Sequence, residues 1–392
     1  MTSTITVPVS VGEAIDKQTI LEIKLDKLQS GREFVEREHA LLSEKIGTFL
    51  NDDCRYHKNI LRIINEEIWD LQDDFRIETN HERRVKLCVK IILLNDSRFR
   101  VKKKLDNISN SSLREQKGYQ KNKAFFLGHL GLGDQINCIP IVRYLASRYD
   151  QVTLVCKKVH QKNLELIYQD DPSIELYLVD SDENISPTFG FSQKHFEKLT
   201  FGFTVFRCGK HQSKNSGFSF KKKKLDLTDI PFCFYRDLEL STDIFSSYHH
   251  IASSAESLEF YQKIKHLDYI VTHTSASQGR LILLAEAERN LGVDKDKTLL
   301  IDINHNYYSQ EHPFHDLAAK FIGLPLPHYK DLLIHAKKLL LSDSSLFCMA
   351  ISLPVQCENF YYISRDGRDY GYIPEVISSH SNSNKLRLEK LF

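Results

Sequence analysis

The residues best suited to chemistry fall in three short segments, each placed where an apolar run gives way to a helical pattern. The first is FLGHLGLGDQINCIPIVRYLASRY, where Gly128, Gly131 and Gly133 let the backbone turn tightly and Asp134 opens the next helix. A carboxylate at that point either caps the helix or acts on a ligand, and the two uses are compatible. The segment is not a dinucleotide fingerprint. Its glycines lack the G-x-G-x-x-G spacing, and the next apolar run, VTLVCKK, ends on no acidic residue. The second segment, THTSASQGR, sets Ser275 and other small hydroxylated residues before Gly279 and Arg280. That composition suits a phosphate cradle with Arg280 as the permanent cation, or an ordinary Ser-rich turn. The third, LLLSDSS, brings Asp343, Ser344 and Ser345 to the start of a helix.

Those segments need elements to hold them. From residue 11 to about 105 apolar residues step by threes, fours and sevens, as in Ile60, Ile64, Ile68, Leu71 and Phe75, which predicts helices over 11–29, 33–50, 55–78 and 82–105. A four-helix bundle buries their stripes most economically. The polar stretch 107–123 reads as a linker. Beyond it short apolar strands alternate with helices. The first series is AFFLG, a helix over 134–148, VTLVC, a helix near 159–169, IELYLVD and FTVFRC; the second is DYIVTHT, a helix over 281–292, TLLIDI, helices over 314–323 and 328–338, LLLSD, a helix over 344–352 and FYYIS. Two such series imply two Rossmann-like halves with ligands bound at the carboxyl ends of their strands. The division expected is 1–110 for the bundle, 120–230 and 231–375 for the two α/β domains, and 376–392 for a tail ending in a short amphipathic helix. The lysine-rich run 209–224 reads as a solvated mobile loop.

Composition narrows the function classes. The 392 residues carry 53 Lys and Arg against 52 Asp and Glu, with 41% hydrophobic and 27% charged residues, so neither disorder nor a nucleic-acid partner is indicated. No leader-like start and no run of roughly 18 apolar residues is present, giving the expectation of a cytoplasmic protein without a transmembrane segment. Eight scattered cysteines without a CxxC pair read as reduced core residues. In the bundle, Glu13, Asp16, Lys17, Glu22 and Lys24 on one helix and Asn65, Trp69, Asp73 and Arg76 on another carry more charge than an indifferent interior tolerates. Salt bridges at helical spacing account for this, with an acceptor or partner site as the alternative if the pairs are buried.

The pattern G-D-x-x-x-x-x-P formed by Gly133, Asp134 and Pro140 resembles the first strand-helix loop of heptosyltransferase-like glycosyltransferases of the GT-B fold. The run HYKDLLIHAKKLLLSDSSLFCMAISLP (328–354) resembles their donor side, and the likeness spans roughly residues 124–375. It implies an α/β protein with a GT-B-like pair of Rossmann-like domains facing a cleft, preceded by the helical bundle. It also implies a transferase moving a sugar from a nucleotide-sugar donor to a hydroxyl acceptor by inversion, with no metal and no other cofactor. Asp134 would be the general base, and Gly133, His273, Ser275, Arg280, Asp343, Ser344 and Ser345 would serve the donor and its phosphates. Lys157, Lys158 and Arg280 are the candidate cations, and Tyr235 and Arg236 would stand near the cleft. The acceptor would be a glycan, a lipid-linked saccharide or another hydroxyl compound. One departure is that His129, Leu130 and Gly131 fill a loop in which the family carries Ser or Thr. The alternatives are a nucleotide-sugar epimerase, which needs further acid and base groups, and a non-catalytic nucleotide-binding scaffold. The segments 9–28, 65–76 and 94–106 resemble an uncharacterised helical family associated with glycan assembly, which leaves a protein partner for the bundle open.

Overall fold

The computed structural model describes residues 7–118, 121–212, 231–274, 292–294, 296–357, 359–363 and 387–390. Its amino-terminal helices are α1 (Val11–Lys27), α2 (Arg32–Ile46), α3 (Asp52–Ile77) and α4 (His81–Ile108). Three start at a capping side chain. Ser10 accepts from the Glu13 N–H at 3.1 Å, Asn51 from Cys54 at 2.8 Å and Asn80 from Arg83 at 3.0 Å. The periodic stripe on α3 is buried at Ile60, Leu61, Ile64, Ile68 and Leu71. On α4 burial is confined to the second half, at Leu94, Val101 and Leu105, and Val85, Val89, Ile92 and Leu93 are exposed.

The chain forms two compact units. One comprises Met1–Ala124, Arg143–Val152 and Tyr168–Glu175; the other comprises Phe125–Val142, Thr153–Ile167 and Leu176–Phe392. In the first unit the charged residues of α1 are used between helices rather than along one. Buried Asp16 accepts from Arg98 Nε at 2.8 Å and from Asn65 Nδ2 at 2.9 Å, and Asn65 also donates to Thr19. Lys58 meets Glu22 at 2.7 Å and Lys102 meets Glu13 at 2.7 Å. Gly12 donates its N–H to Asp106 at 2.7 Å, so close that a Cβ there would overlap the Lys102 carbonyl oxygen. Gly12→Ala is therefore expected to lose about 1–3 kcal/mol in urea unfolding. Gly47→Ala, whose Cβ would meet nothing within 4 Å, is expected to stay within about 0.5 kcal/mol of the parent.

A second buried polar group belongs to the same unit. Arg143 makes a two-pronged pair with Asp170, at 2.9 and 2.8 Å, while its guanidinium carbon lies 5.3 Å from the rings of both Tyr56 and Tyr168. His57 Nε2 is 3.1 Å from the same carboxylate. Next to it Lys104 donates to Asp171 and to the Ala146 carbonyl, each at 2.7 Å.

The first sheet contains β1 (Lys123–Leu127), β2 (Gln151–Lys157), β3 (Ile174–Val179) and β4 (Thr204–Arg207), in the order β3-β2-β1-β4. One core cluster on it joins Phe125, Leu127, Val155 and Val179 with Leu130, Ile185 and Phe196. The second sheet contains β5 (Tyr269–His273), β6 (Leu299–Asp302), β7 (Lys338–Ser342), β8 (Asn359–Ile363) and β9 (Arg387–Lys390), ordered β6-β5-β7-β8-β9. Every pairing in it is parallel. Its inner strands are buried at almost every position, as continuous apolar runs in parallel sheets are.

Three expectations are corrected. The helix over 134–148 is two helices, α5 (Leu132–Asn137) and α6 (Ile139–Arg148), because Pro140 has no N–H to continue the ladder. The helix over 328–338 is a tight turn, Leu326–Tyr329, followed by Lys330–His335. The tail forms β9 rather than a helix, since pairing with β8 satisfies backbone groups that an edge strand would leave open. The helix over 281–292 lies almost wholly outside the described residues, as does the lysine-rich run beyond Gln212. Among the described residues no helix is long and apolar enough to cross a membrane.

Candidate functional site

The turn between β1 and α5 bears on the capping use open to Asp134. The residue at the helix cap is Gly131, with extended backbone, and Asp134 is the third residue of the first turn. Its carboxylate is therefore not the cap. The side chain is 30% exposed, and Oδ2 lies 3.3 Å from Nδ1 of His129, a residue the sequence marked only as a departure in the loop. Several bonds fix this geometry. Gln135 Nε2 donates to the His129 carbonyl at 2.7 Å, and the Lys210 N–H donates to His129 Nε2 at 2.9 Å. The ring of His129 also packs edge-on against Phe234, with centroids 4.8 Å apart.

Gly133 faces the second series of strands and helices. A Cβ built there would lie 3.6 Å from the Ser345 N and 3.5 Å from Cys348 Sγ, both on the helix Ser345–Ala350. Asn137 Nδ2 is 3.6 Å from the same sulfur. Gly133 and Ser345 are thus brought together. Tyr235 is fully buried behind α5, where its hydroxyl donates to the Asn137 carbonyl at 3.3 Å.

His273 ends β5 and is buried, with Nδ1 at 2.7 Å from Ser344 Oγ and 3.3 Å from Ser342 Oγ. Ser344 occupies the cap of Ser345–Ala350, yet its hydroxyl makes no capping bond and points to His273 instead. Asp343 is buried one residue before that cap. Ser275 and Arg280 lie outside the described residues. Missed at the sequence level was Asp302 at the end of β6. It accepts from the Thr272 hydroxyl at 3.0 Å, from the Thr274 hydroxyl at 3.0 Å and N–H at 3.2 Å, from the Tyr307 hydroxyl at 3.2 Å and from the N–H groups of Asn304 and His305. A carboxylate so fully occupied pins the ends of β5 and β6, and an acidic residue closing an apolar strand was its only signal.

The candidate cations Lys157 and Lys158, with Lys210, are already engaged by carboxylates. Lys158 lies 3.0 Å from Asp180; Lys157 and Lys210 lie 3.7 and 2.8 Å from Asp182. Burial alone would raise the Asp182 carboxyl, but the bond from Lys210 and the surrounding positive charge hold it below its usual range. His211, 3.1 Å from the same carboxylate, is pushed down to about 3 by burial and by Lys210, so the ring is neutral at physiological pH.

A model of a family of unknown function, DUF6165, matches residues 5–125. No curated protein matches the chain. Among solved structures, a glycosyl transferase family 9 protein from Veillonella parvula is similar at 13% identity and a TM-score of 0.42, over 71% of this chain and 89% of that one. TibC, an iron-containing dodecameric glycosyltransferase from enterotoxigenic E. coli, is similar at 17% identity and a TM-score of 0.36, over 65% of this chain and 61% of its own. A second TibC structure, described as a heptosyltransferase in complex with ADP-D-beta-D-heptose, is similar at 15% identity and a TM-score of 0.38.

Proposed function

We propose that the chain is a glycosyltransferase that moves a sugar from a nucleotide-sugar donor to an acceptor hydroxyl with inversion, without a metal, in glycan or polysaccharide assembly in the cytoplasm. The observation that carries this reading is the placement of Asp134: a partly exposed carboxylate, not spent on a helix cap, on a glycine turn whose Gly133 abuts the start of Ser345–Ala350. In this reading residues 120–230 hold the acceptor and 231–375 the donor, in the GT-B manner. Asp134 takes the proton of the acceptor hydroxyl as its oxygen bonds to the anomeric carbon. The carbon–oxygen bond to the diphosphate breaks, and its electron pair leaves with the nucleoside diphosphate, whose growing charge needs donors already in place. In this reading Ser344, Ser345 and His273 supply those donors, a role Ser275 and Arg280 share from sequence, and Asp343 accepts from a ribose or sugar hydroxyl. The donor sugar is a hexose or heptose.

The test is thermal unfolding with UDP, GDP, ADP, CMP and NAD and with their common sugar conjugates. A ligand at about one hundred times its dissociation constant stabilises the fold by roughly 2.7 kcal/mol. Stabilisation by one nucleoside diphosphate and its conjugate supports the transferase. A response to none of them moves the weight to the scaffolding reading, which the exposed row Val85, Val89, Ile92 and Leu93 on α4 favours as a protein-binding face.

A further inference from the structure

We propose that His129 is a positioning residue for Asp134, holding one carboxylate oxygen so that the other is presented to the acceptor hydroxyl; this rests on the general-base reading given above. The ring's protonation pattern follows from its partners. A backbone N–H can only donate, so the bond from Lys210 at 2.9 Å makes Nε2 of His129 the acceptor and leaves the proton of a neutral ring on Nδ1. Nδ1 is the atom that stands 3.3 Å from Asp134 Oδ2, so the ring's proton is carried on the nitrogen nearer the carboxylate. Most of the ring is enclosed, with 11% of the side chain exposed, and it is pressed on by Phe234.

The fold makes room for this contact at one place. Gly209 adopts a φ of +59°, and a Cβ there would overlap Nε2 of His129. The absence of a side chain lets the Gly209–His211 turn bring the Lys210 N–H onto the imidazole, and Asp237 Oδ2 holds that turn by accepting from the Gly209 N–H at 2.7 Å. Hydrogen bonds thus run from the Gly209 N–H to Asp237 and from the next residue's N–H, that of Lys210, to His129, whose other ring nitrogen stands beside Asp134.

The experiment uses the full chain labelled with 15N-histidine. Two-bond nitrogen–proton correlation spectra, with the His129 signals identified by their loss in His129→Asn, are expected to show Nδ1 protonated and Nε2 bare. Asp134→Asn is expected to shift the Nδ1 proton signal upfield. A ring protonated on Nε2, or an Nδ1 signal unmoved by Asp134→Asn, overturns the proposal. A kinetic arm follows release of nucleoside diphosphate from UDP-glucose, GDP-mannose and ADP-glucose. His129→Phe is expected to lower kcat by roughly ten- to a hundredfold at unchanged KM, as a misplaced catalytic group does. His129→Asn keeps a donor at the Nδ1 position and is expected to recover most of that loss. If Asp134→Ala abolishes release and His129→Phe does not change it, the positioning role alone fails; if Asp134→Ala does not change it, the general-base reading fails and takes this proposal with it.

Discussion

Asp134→Ala is expected to lower kcat by roughly a hundred- to ten-thousandfold, the range associated with removing a general base, while nucleotide-induced stabilisation is retained. The separation of the two readouts follows from geometry. Asp134 sits on the β1–α5 turn, beside His129, whereas the His273, Ser342 and Ser344 group belongs to the ends of β5 and β7. The fold is expected to tolerate the change. Gly131, not Asp134, occupies the cap of α5, so what is lost is the favourable charge of a carboxylate in a first turn, about 0.3–1 kcal/mol. An activity loss accompanied by a large drop in melting temperature would instead assign Asp134 a structural role. Full activity in the variant would remove the general base from the mechanism.

The second large effect concerns stability. Replacing Asp170 by Asn or Ala removes the two-pronged carboxylate partner of the Arg143 guanidinium near Tyr56 and Tyr168, and breaking such a buried pair costs about 3–5 kcal/mol. The single Trp69, on α3, reports urea unfolding of this unit directly. The pH dependence has a definite sign. Burial would raise the Asp170 carboxyl, but the charge of Arg143 and the bonds from His57 and Arg143 overcome it and hold the group well below the ordinary range. A carboxylate depressed in the folded state stabilises fully above its unfolded value, about 3.9, and that contribution is lost as pH falls toward the folded value. Wild-type stability should accordingly decline below about pH 4, and Asp170→Asn should flatten that limb. Asp171, lowered despite burial by Lys104, adds to the same acid-side loss and remains in the variant. An unchanged acid limb would show that other carboxylates dominate it. A double replacement of Arg143 and Asp170 by apolar residues is expected to recover much of the loss, since both desolvation costs vanish together.

What the sequence determined by itself is what depends on near neighbours. The spacing of apolar residues such as Ile60, Ile64, Ile68 and Leu71 placed the four amino-terminal helices, because helical periodicity acts within a few residues. Continuous apolar runs located eight of the nine described strands, and three glycines before Asp134 marked a turn at a strand end. What only the tertiary structure decided depends on residues far apart in the chain. Asp134 was open as the cap of α5 until Gly131 was seen to hold that position. His129 acquires its meaning from Lys210, 81 residues away, and His57 from Asp170, 113 residues away. The ninth strand has a short, polar sequence of no strong preference, and it is the open edge of β8 that makes it a strand. Local pattern fixes which face of an element is apolar; which buried donor meets which buried acceptor is settled only when those faces close, since an unpaired polar group in the interior is too costly to leave.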